Sequence, residues 1–185
     1  FNSEKFGCRY AATTDIRGNM PKRIIKPDAV YYIETTTKNC IEILSTPHFA
    51  RFLLLSIGYH RYMLDYKIYA YLILPESFYL IIQPGTMYTV SKIMKLIKGN
   101  FARKYNEYKK REGTVWSQSF DAKIIENEAD FKERLDYIHS LPVVRELTKE
   151  PGSYEFSSYN NYSRARRTTI QLVIDSVPEK FGFKK

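Results

Sequence analysis

Cysteine is nearly absent: Cys8 and Cys40 are the only two among 185 residues. They can form at most one bridge, so no disulfide framework is expected, and no second pair completes a zinc-type ligand set. That sparse usage fits a reducing cytoplasm. Histidine is scarce as well, at three residues. No stretch approaches the ~18 uninterrupted apolar residues of a membrane span, so no membrane partner is expected. The opening residues, Phe1-Asn2-Ser3-Glu4-Lys5, lack the charged-then-apolar pattern of a secretory signal. Internal repeats and low-complexity linkers are also missing, which leaves one principal domain. Acidic residues are in deficit, with 20 Asp+Glu against 29 Lys+Arg, a net charge of +9.

Hydrophobic residues make up 44% of the chain, enough for a core of its own and too many for a disordered polyelectrolyte. Sixteen Tyr, eleven Phe and one Trp accompany the positive charge. Cations meet phosphates and rings stack on bases, so the composition is compatible with nucleic acid. It is equally compatible with a tyrosine-rich core in a basic protein. Met20-Pro21-Lys22-Arg23 reads as a natural start, making residues 1–19 an extension or a cloning remnant.

Residues 28–37 (DAVYYIETTT) have the β-branched and aromatic content of a strand. A helix should follow, capped by Ser45 or Thr46, with Pro47 in its first turn and Phe49, Phe52, Leu53 and Ile57 at helical spacing. Residues 66–74 and 77–82 are apolar β-rich runs around the corner Pro75-Glu76, as in adjacent antiparallel strands. Thr89 or Ser91 opens a long helix reaching about Arg111 and ended by Gly113. Residues 119–126 (SFDAKIIE) form a fourth strand. Asn127, with Asp130 three residues on, caps a last helix that Pro142 stops or kinks. Strands recurring between helices predict an α+β fold, an antiparallel sheet with helices packed against it.

The long helix divides into two sides. Ile93, Met94, Ile97, Phe101, Tyr105 and Tyr108 share one, while Lys92, Lys95, Lys98, Arg103, Lys109 and Lys110 gather on the other. From Lys92 to Arg111 there are eight basic residues and a single acid, Glu107, so this helix carries +7 of the chain's +9. Solvated faces usually mix signs, and this one scarcely does, which favours a track for phosphates. Arg164, Arg166 and Arg167 form a smaller cluster in a basic C-terminal tail, residues 161–185.

Six short stretches, in order, resemble the REP-associated tyrosine transposases, single-tyrosine members of the HUH endonuclease superfamily. Residues 20–23 and 29–33 resemble their opening. Residues 74–82 (LPESFYLII) stand where the family has Met-Pro-Asn-His-Phe-His-Leu-Leu-Ile. Ser91 through Lys98, with Tyr105-Asn106, resembles the helix that follows. Residues 113–120 (GTVWSQSF), 137–143 (YIHSLPV) and 154–159 (YEFSSY) resemble three further family elements. The similarity spans roughly residues 20 to 160. It implies a ferredoxin-like sandwich that binds single-stranded or hairpin DNA. In that family a helix-borne tyrosine attacks the scissile phosphate and forms a 5′-phosphotyrosyl link. Two histidines at i and i+2 on one strand hold the divalent metal that polarises the phosphate.

Carried over residue by residue, the nucleophile falls on Tyr137, well off the centre of its helix's apolar stripe. The metal histidines fall on Ser77 and Tyr79, the opening-strand histidine on Tyr32, and an asparagine one turn after the nucleophile on Leu141. Serine and tyrosine are not ordinary Mg²⁺ or Mn²⁺ ligands at neutral pH. No cofactor is therefore expected unless Glu76 or another acid such as Glu34 rebuilds the site. Glu76 itself should point away from Ser77 and Tyr79 by strand alternation. His139 is expected at the surface. The resemblance thus implies a transposase-like protein that binds single-stranded or hairpin DNA through the basic helix, Trp116 and the C-terminal arginines, with catalysis lost. Three alternatives stay open: an active metal-dependent nickase, an RNA-binding module and a purely structural protein. Monomer and dimer are both open.

Overall fold

The computed structural model describes residues 28–163, 172–178 and 181. Strand β1 (Val30–Thr36) pairs along both of its edges, with β3 (Ser77–Gln83) on one side and β4 (Asp121–Ile125) on the other. Strand β2 (Lys67–Ile73) lies outside β3, giving the order β2-β3-β1-β4 with every pair antiparallel. Helix α1 (Pro47–Leu64) joins β1 to β2, and α2 (Val90–Lys109) joins β3 to β4. This βαββαβ order is the expected ferredoxin-like sandwich. Helix α3 (Glu128–Val144) then packs on the opposite face of the sheet. No described helix is long and apolar enough to cross a membrane.

Covering both faces explains why β2 and β3 are apolar almost throughout. Alternation along β1 sends Tyr31 and Ile33 into one core, with Leu53, Leu54 and Ile57 of α1 and Ile93, Ile97 and Phe101 of α2. It sends Val30 and Tyr32 into a second core, with Phe131, Leu135, Ile138 and Leu141 of α3. The two-residue corner Pro75-Glu76 closes the β2–β3 hairpin, where the Leu74 N–H donates to the Ser77 carbonyl at 2.8 Å.

Local chemistry sets the helix ends. Thr89 Oγ1 accepts the Lys92 N–H at 3.2 Å, and Asn127 Oδ1 accepts the Asp130 N–H at 2.9 Å, satisfying otherwise orphaned first-turn donors. Helix α2 ends before Gly113, because Lys110 already adopts the left-handed conformation at φ 49°. Pro142 neither stops nor shortens α3, which runs on to Val144. Its missing N–H falls in the last turn, and the Arg145 and Leu147 amides still donate to the Leu141 and Pro142 carbonyls.

Two expectations are corrected. Residues 172–178 and Phe181 are not part of a free tail. The Asp175 N–H donates to the Ile68 carbonyl at 2.7 Å, and the Ile68 N–H donates back to Asp175 Oδ2 at 2.8 Å. Arg61 fixes the same carboxylate at 2.6 Å. With Phe156 and Ser158 bonded to Ile73 and Tyr71, the exposed edge of β2 is covered. Phe181 stacks on Phe131 at 5.2 Å. Arg164, Arg166 and Arg167, like residues 1–19, lie outside the described residues.

His139 is the second correction. It is 7% exposed, with Nε2 2.9 Å from Ser158 Oγ and its ring between the edges of Tyr159 and Tyr162. The segment that buries it, Ser157–Tyr162, packs against α3. Burial lowers its pKa to about 4. The unfolded chain therefore holds this proton between about pH 6.5 and 4 while the folded chain does not, so stability falls as pH falls through that window. The contribution lost should be on the order of 3 kcal/mol. Urea unfolding of the native chain and of His139→Gln across pH 4 to 7 should show a shallower acid loss in the variant.

Candidate active site and nucleic-acid interface

The register of β1 against β3 builds the candidate active site. Glu34 stands directly opposite Tyr79, and Thr36 opposite Ser77. Alternation then places Tyr32, Glu34, Ser77 and Tyr79 together on the face covered by α3. The Tyr79 hydroxyl donates to Glu34 Oε1 at 3.1 Å, and the Tyr32 hydroxyl to Oε2 at 3.5 Å. The two rings lie 6.4 Å apart. Helix α3 brings Tyr137 over this pair, its ring edge-on to Tyr79 at 6.4 Å. Tyr137 is 45% exposed, so its phenol reaches the surface. Arg134, held by Asp130 at 3.2 Å, sets its guanidinium over the Tyr32 ring at 5.3 Å.

Tyr137 and Tyr79 are thus in ring contact, and Ser77 shares their face of the sheet. Glu76 is not part of the group: its carboxylate pairs with Arg145 at 3.3 Å. Leu141 is buried in the second core. The acid at the site is Glu34.

Burial raises the pKa of Tyr79 far above the usual phenol range, and the Glu34 charge adds to the effect. Tyr32 is raised by the same two causes in the same order. Tyr137 is raised as well, first by burial and then by Glu34, against the opposing pull of Arg145 and Arg134. All three shifts oppose ionisation of a phenol that is already neutral at physiological pH.

That donor set does not fit a divalent cation. Hard cations take several oxygen ligands, usually including more than one carboxylate. Here one carboxylate has both oxygens engaged by neutral phenols, and the remaining donor is a serine hydroxyl. Among the described residues no group of three or more His, Cys, Asp or Glu side chains is placed to hold a metal.

The cationic surface lies elsewhere. Helix α2 packs on the Tyr31–Ile33 face, so the sheet separates it from Tyr137. Lys92, Lys95, Arg103, Lys109 and Lys110 are exposed along it, as the charge pattern implies. Two expected contacts are corrected. Lys98 is half-buried, with Nζ donating to the Ser117 and Ser119 carbonyls at 3.1 and 3.4 Å, and burial lowers its pKa to about 8. Its ammonium anchors the loop before β4 and is not free for a phosphate. Trp116 is 6% exposed, its Nε1–H donating to the Lys98 carbonyl at 2.9 Å and its ring against Phe78 and Phe101. It belongs to the core and has no free face for a base.

The antiparallel sheet, with α1 and α2 on one face and α3 on the other, defines a ferredoxin-like α+β domain. The chain belongs to the IS200-like transposases, whose family profile matches residues 29–141. Among solved structures it is similar to a REP-associated tyrosine transposase bound to a REP hairpin. The TM-score is 0.69 at 20% identity, over 86% of this chain and 99% of that one. A crystal structure of a putative transposase from Deinococcus radiodurans aligns with a TM-score of 0.46 at 16% identity, over 65% of this chain and 98% of that one. No curated protein matches the chain.

Removing the Tyr79 hydroxyl should expose the importance of the carboxylate pairing. A Tyr79→Phe variant loses a hydrogen bond to a charged acceptor and should be about 1.5–3 kcal/mol less stable. Tyr32→Phe should cost less, since its bond to Glu34 is the longer one. Chemical denaturation of both variants checks the order, and a larger loss for Tyr32→Phe would contradict it.

Proposed function

We propose that this chain is a hairpin-binding, single-stranded-DNA-binding member of the IS200-like transposases that does not cleave its DNA. One observation carries this: among the described residues, the carboxylate beneath Tyr137 is already bonded to the phenols of Tyr79 and Tyr32. Phosphodiester cleavage by a tyrosine needs both an activated phenol and a group to polarise the phosphate. Here the phenol is pushed up in pKa and the metal-ligating positions carry Ser77 and Tyr79. Tyr137 keeps the nucleophile's place without the means to use it. In this reading the protein needs no metal cofactor and works in the cytoplasm.

Binding, in contrast, asks only for surface charge and shape. Lys92, Lys95, Arg103, Lys109 and Lys110 are exposed on α2 and independent of the Tyr137 site. The similar REP-associated transposase was captured on a REP hairpin, which supports the same class of ligand here.

Two measurements test the proposal. Incubation with hairpin-bearing single-stranded DNA and Mn²⁺ should give no covalent protein–DNA adduct. An adduct that disappears in Tyr137→Phe would establish an active nickase, with Glu34 the acid to examine as its metal ligand. Titration of the same DNA at rising salt should show affinity falling steeply. Replacing Lys92 and Lys95 by Ala should lower the slope of log affinity against log salt by about one to two, because each phosphate neutralised on a single strand adds roughly 0.7 to it. Salt-independent affinity would overturn the phosphate track.

A further inference from the structure

A pocket of about 310 Å³ opens where the start of α1 meets the C-terminal half of α2. Its walls are aromatic: His48, Phe49, Phe52, Tyr105 and Tyr108. Phe49 meets Tyr105 and Tyr108 edge-on at 5.0 and 5.4 Å, and His48 tilts against Tyr108 at 5.6 Å. These contacts fix the rings before anything binds. Tyr108 is 66% exposed, so much of its ring is open to solvent.

The rim carries cations that the rings themselves position. Lys109 Nζ sits 5.5 Å from the Phe49 centroid and 5.9 Å from that of Tyr108, and the Arg111 guanidinium lies 5.8 Å from Tyr105. The acid in the lining, Glu107, is paired with Lys104 at 3.0 Å, which also holds its carboxyl below the usual range. What remains over the pocket is net positive. Ring walls beneath a cationic rim match a ligand that is both aromatic and anionic. The volume lies at the small end of the ~300–1,000 Å³ of ligand pockets, sized for one ring system and not for a duplex.

We propose that this pocket takes one unpaired nucleotide of a single-stranded DNA segment, its base stacked on Tyr108 and its phosphate held by Lys109. The proposal rests on the reading of the chain as a DNA-binding protein and adds a site that the charge pattern alone does not locate. The pocket opens on the α1 side of α2, near the helix's C-terminal end, and Lys109 is the cation that reaches over its rings. It lies across the sheet from Tyr137. Its role is therefore to hold a nucleotide away from the candidate nucleophile and not to present one to it.

The test uses the full chain and two probes: a DNA hairpin with a single-stranded flank, and the same hairpin with blunt ends. 2-Aminopurine is placed at one flank position at a time. One position should lose fluorescence on binding, by stacking. Tyr108→Ala should abolish that quenching and weaken flanked-probe affinity about 5- to 150-fold, the range that base–aromatic stacking supplies. Tyr108→Phe should retain both, and blunt-hairpin affinity should be unchanged in either variant. Lys109→Gln should lower the salt slope more for the flanked probe than for the blunt one. If flanked and blunt probes bind equally well and Tyr108→Ala alters neither, the pocket is overturned while DNA binding stands. If neither probe binds, the DNA-binding reading fails and the pocket with it.

Discussion

Everything at the candidate site hangs from the pairing of Glu34 with Tyr79 across β1 and β3. Glu34 is half-buried on β1, so its carboxylate needs bonds that replace part of its hydration. Tyr79 and Tyr32 meet that requirement with two hydroxyls. In doing so they fix the acid, fix each other's rings and set the floor on which Tyr137 rests. An acid in this place shapes the chemistry of three phenols at once, since its charge opposes the ionisation of each.

On the proposed reading, phenol in place of imidazole is more than a change of ligand. A histidine pair at i and i+2 would offer neutral nitrogens with lone pairs directed off the strand. A tyrosine in the same place offers a donor proton first, and that proton finds Glu34. Once the carboxylate accepts from the floor, it has less capacity to act as a base above it. The Arg145–Glu76 pair at the end of α3 removes the neighbouring acid in a similar way.

Features set by local chemistry were legible in the sequence. Thr89 and Asn127 as caps, the Pro75-Glu76 corner and the four strands depend on residues close to one another in the chain. The two sides of α2 were legible for the same reason, because helical spacing is regular. What escaped depends on register or on distant packing. Nothing local says that Glu34 stands opposite Tyr79 and not opposite a neighbour one residue away, although a one-residue slip would send it to the other core. Lys98 read as one more surface cation, but the loop of Ser117 and Ser119 supplies carbonyls for its ammonium. Trp116 carried a functional expectation because tryptophan stacks on bases, whereas its indole N–H meets the Lys98 carbonyl in the core. His139 was misplaced because the segment that buries it follows α3 by more than a dozen residues. The C-terminal segment was the hardest to foresee, since Asp175 uses its side chain and its backbone to act as a partner for Ile68.

The sheet also decides which functions can vary independently. Helix α2 and Tyr137 occupy opposite layers, with two hydrophobic cores and the sheet itself between them. Packed layers stand about 10 Å apart, close to the distance over which exposed charges are screened at physiological salt. Changes at Ser77, Tyr79 or Tyr32 therefore leave the potential around Lys92, Lys95 and Arg103 essentially untouched. The positive surface draws on side chains that solvate freely and need no partner in the second core. A chemical site is different, because each of its groups must match its neighbours in distance, charge and protonation. A change of residue type at Tyr32 or Tyr79 disturbs all three on one face and none on the other. On the proposed reading, this separation lets the cationic face of α2 keep its hold on a polyanion while the face of Glu34, Tyr32 and Tyr79 changes.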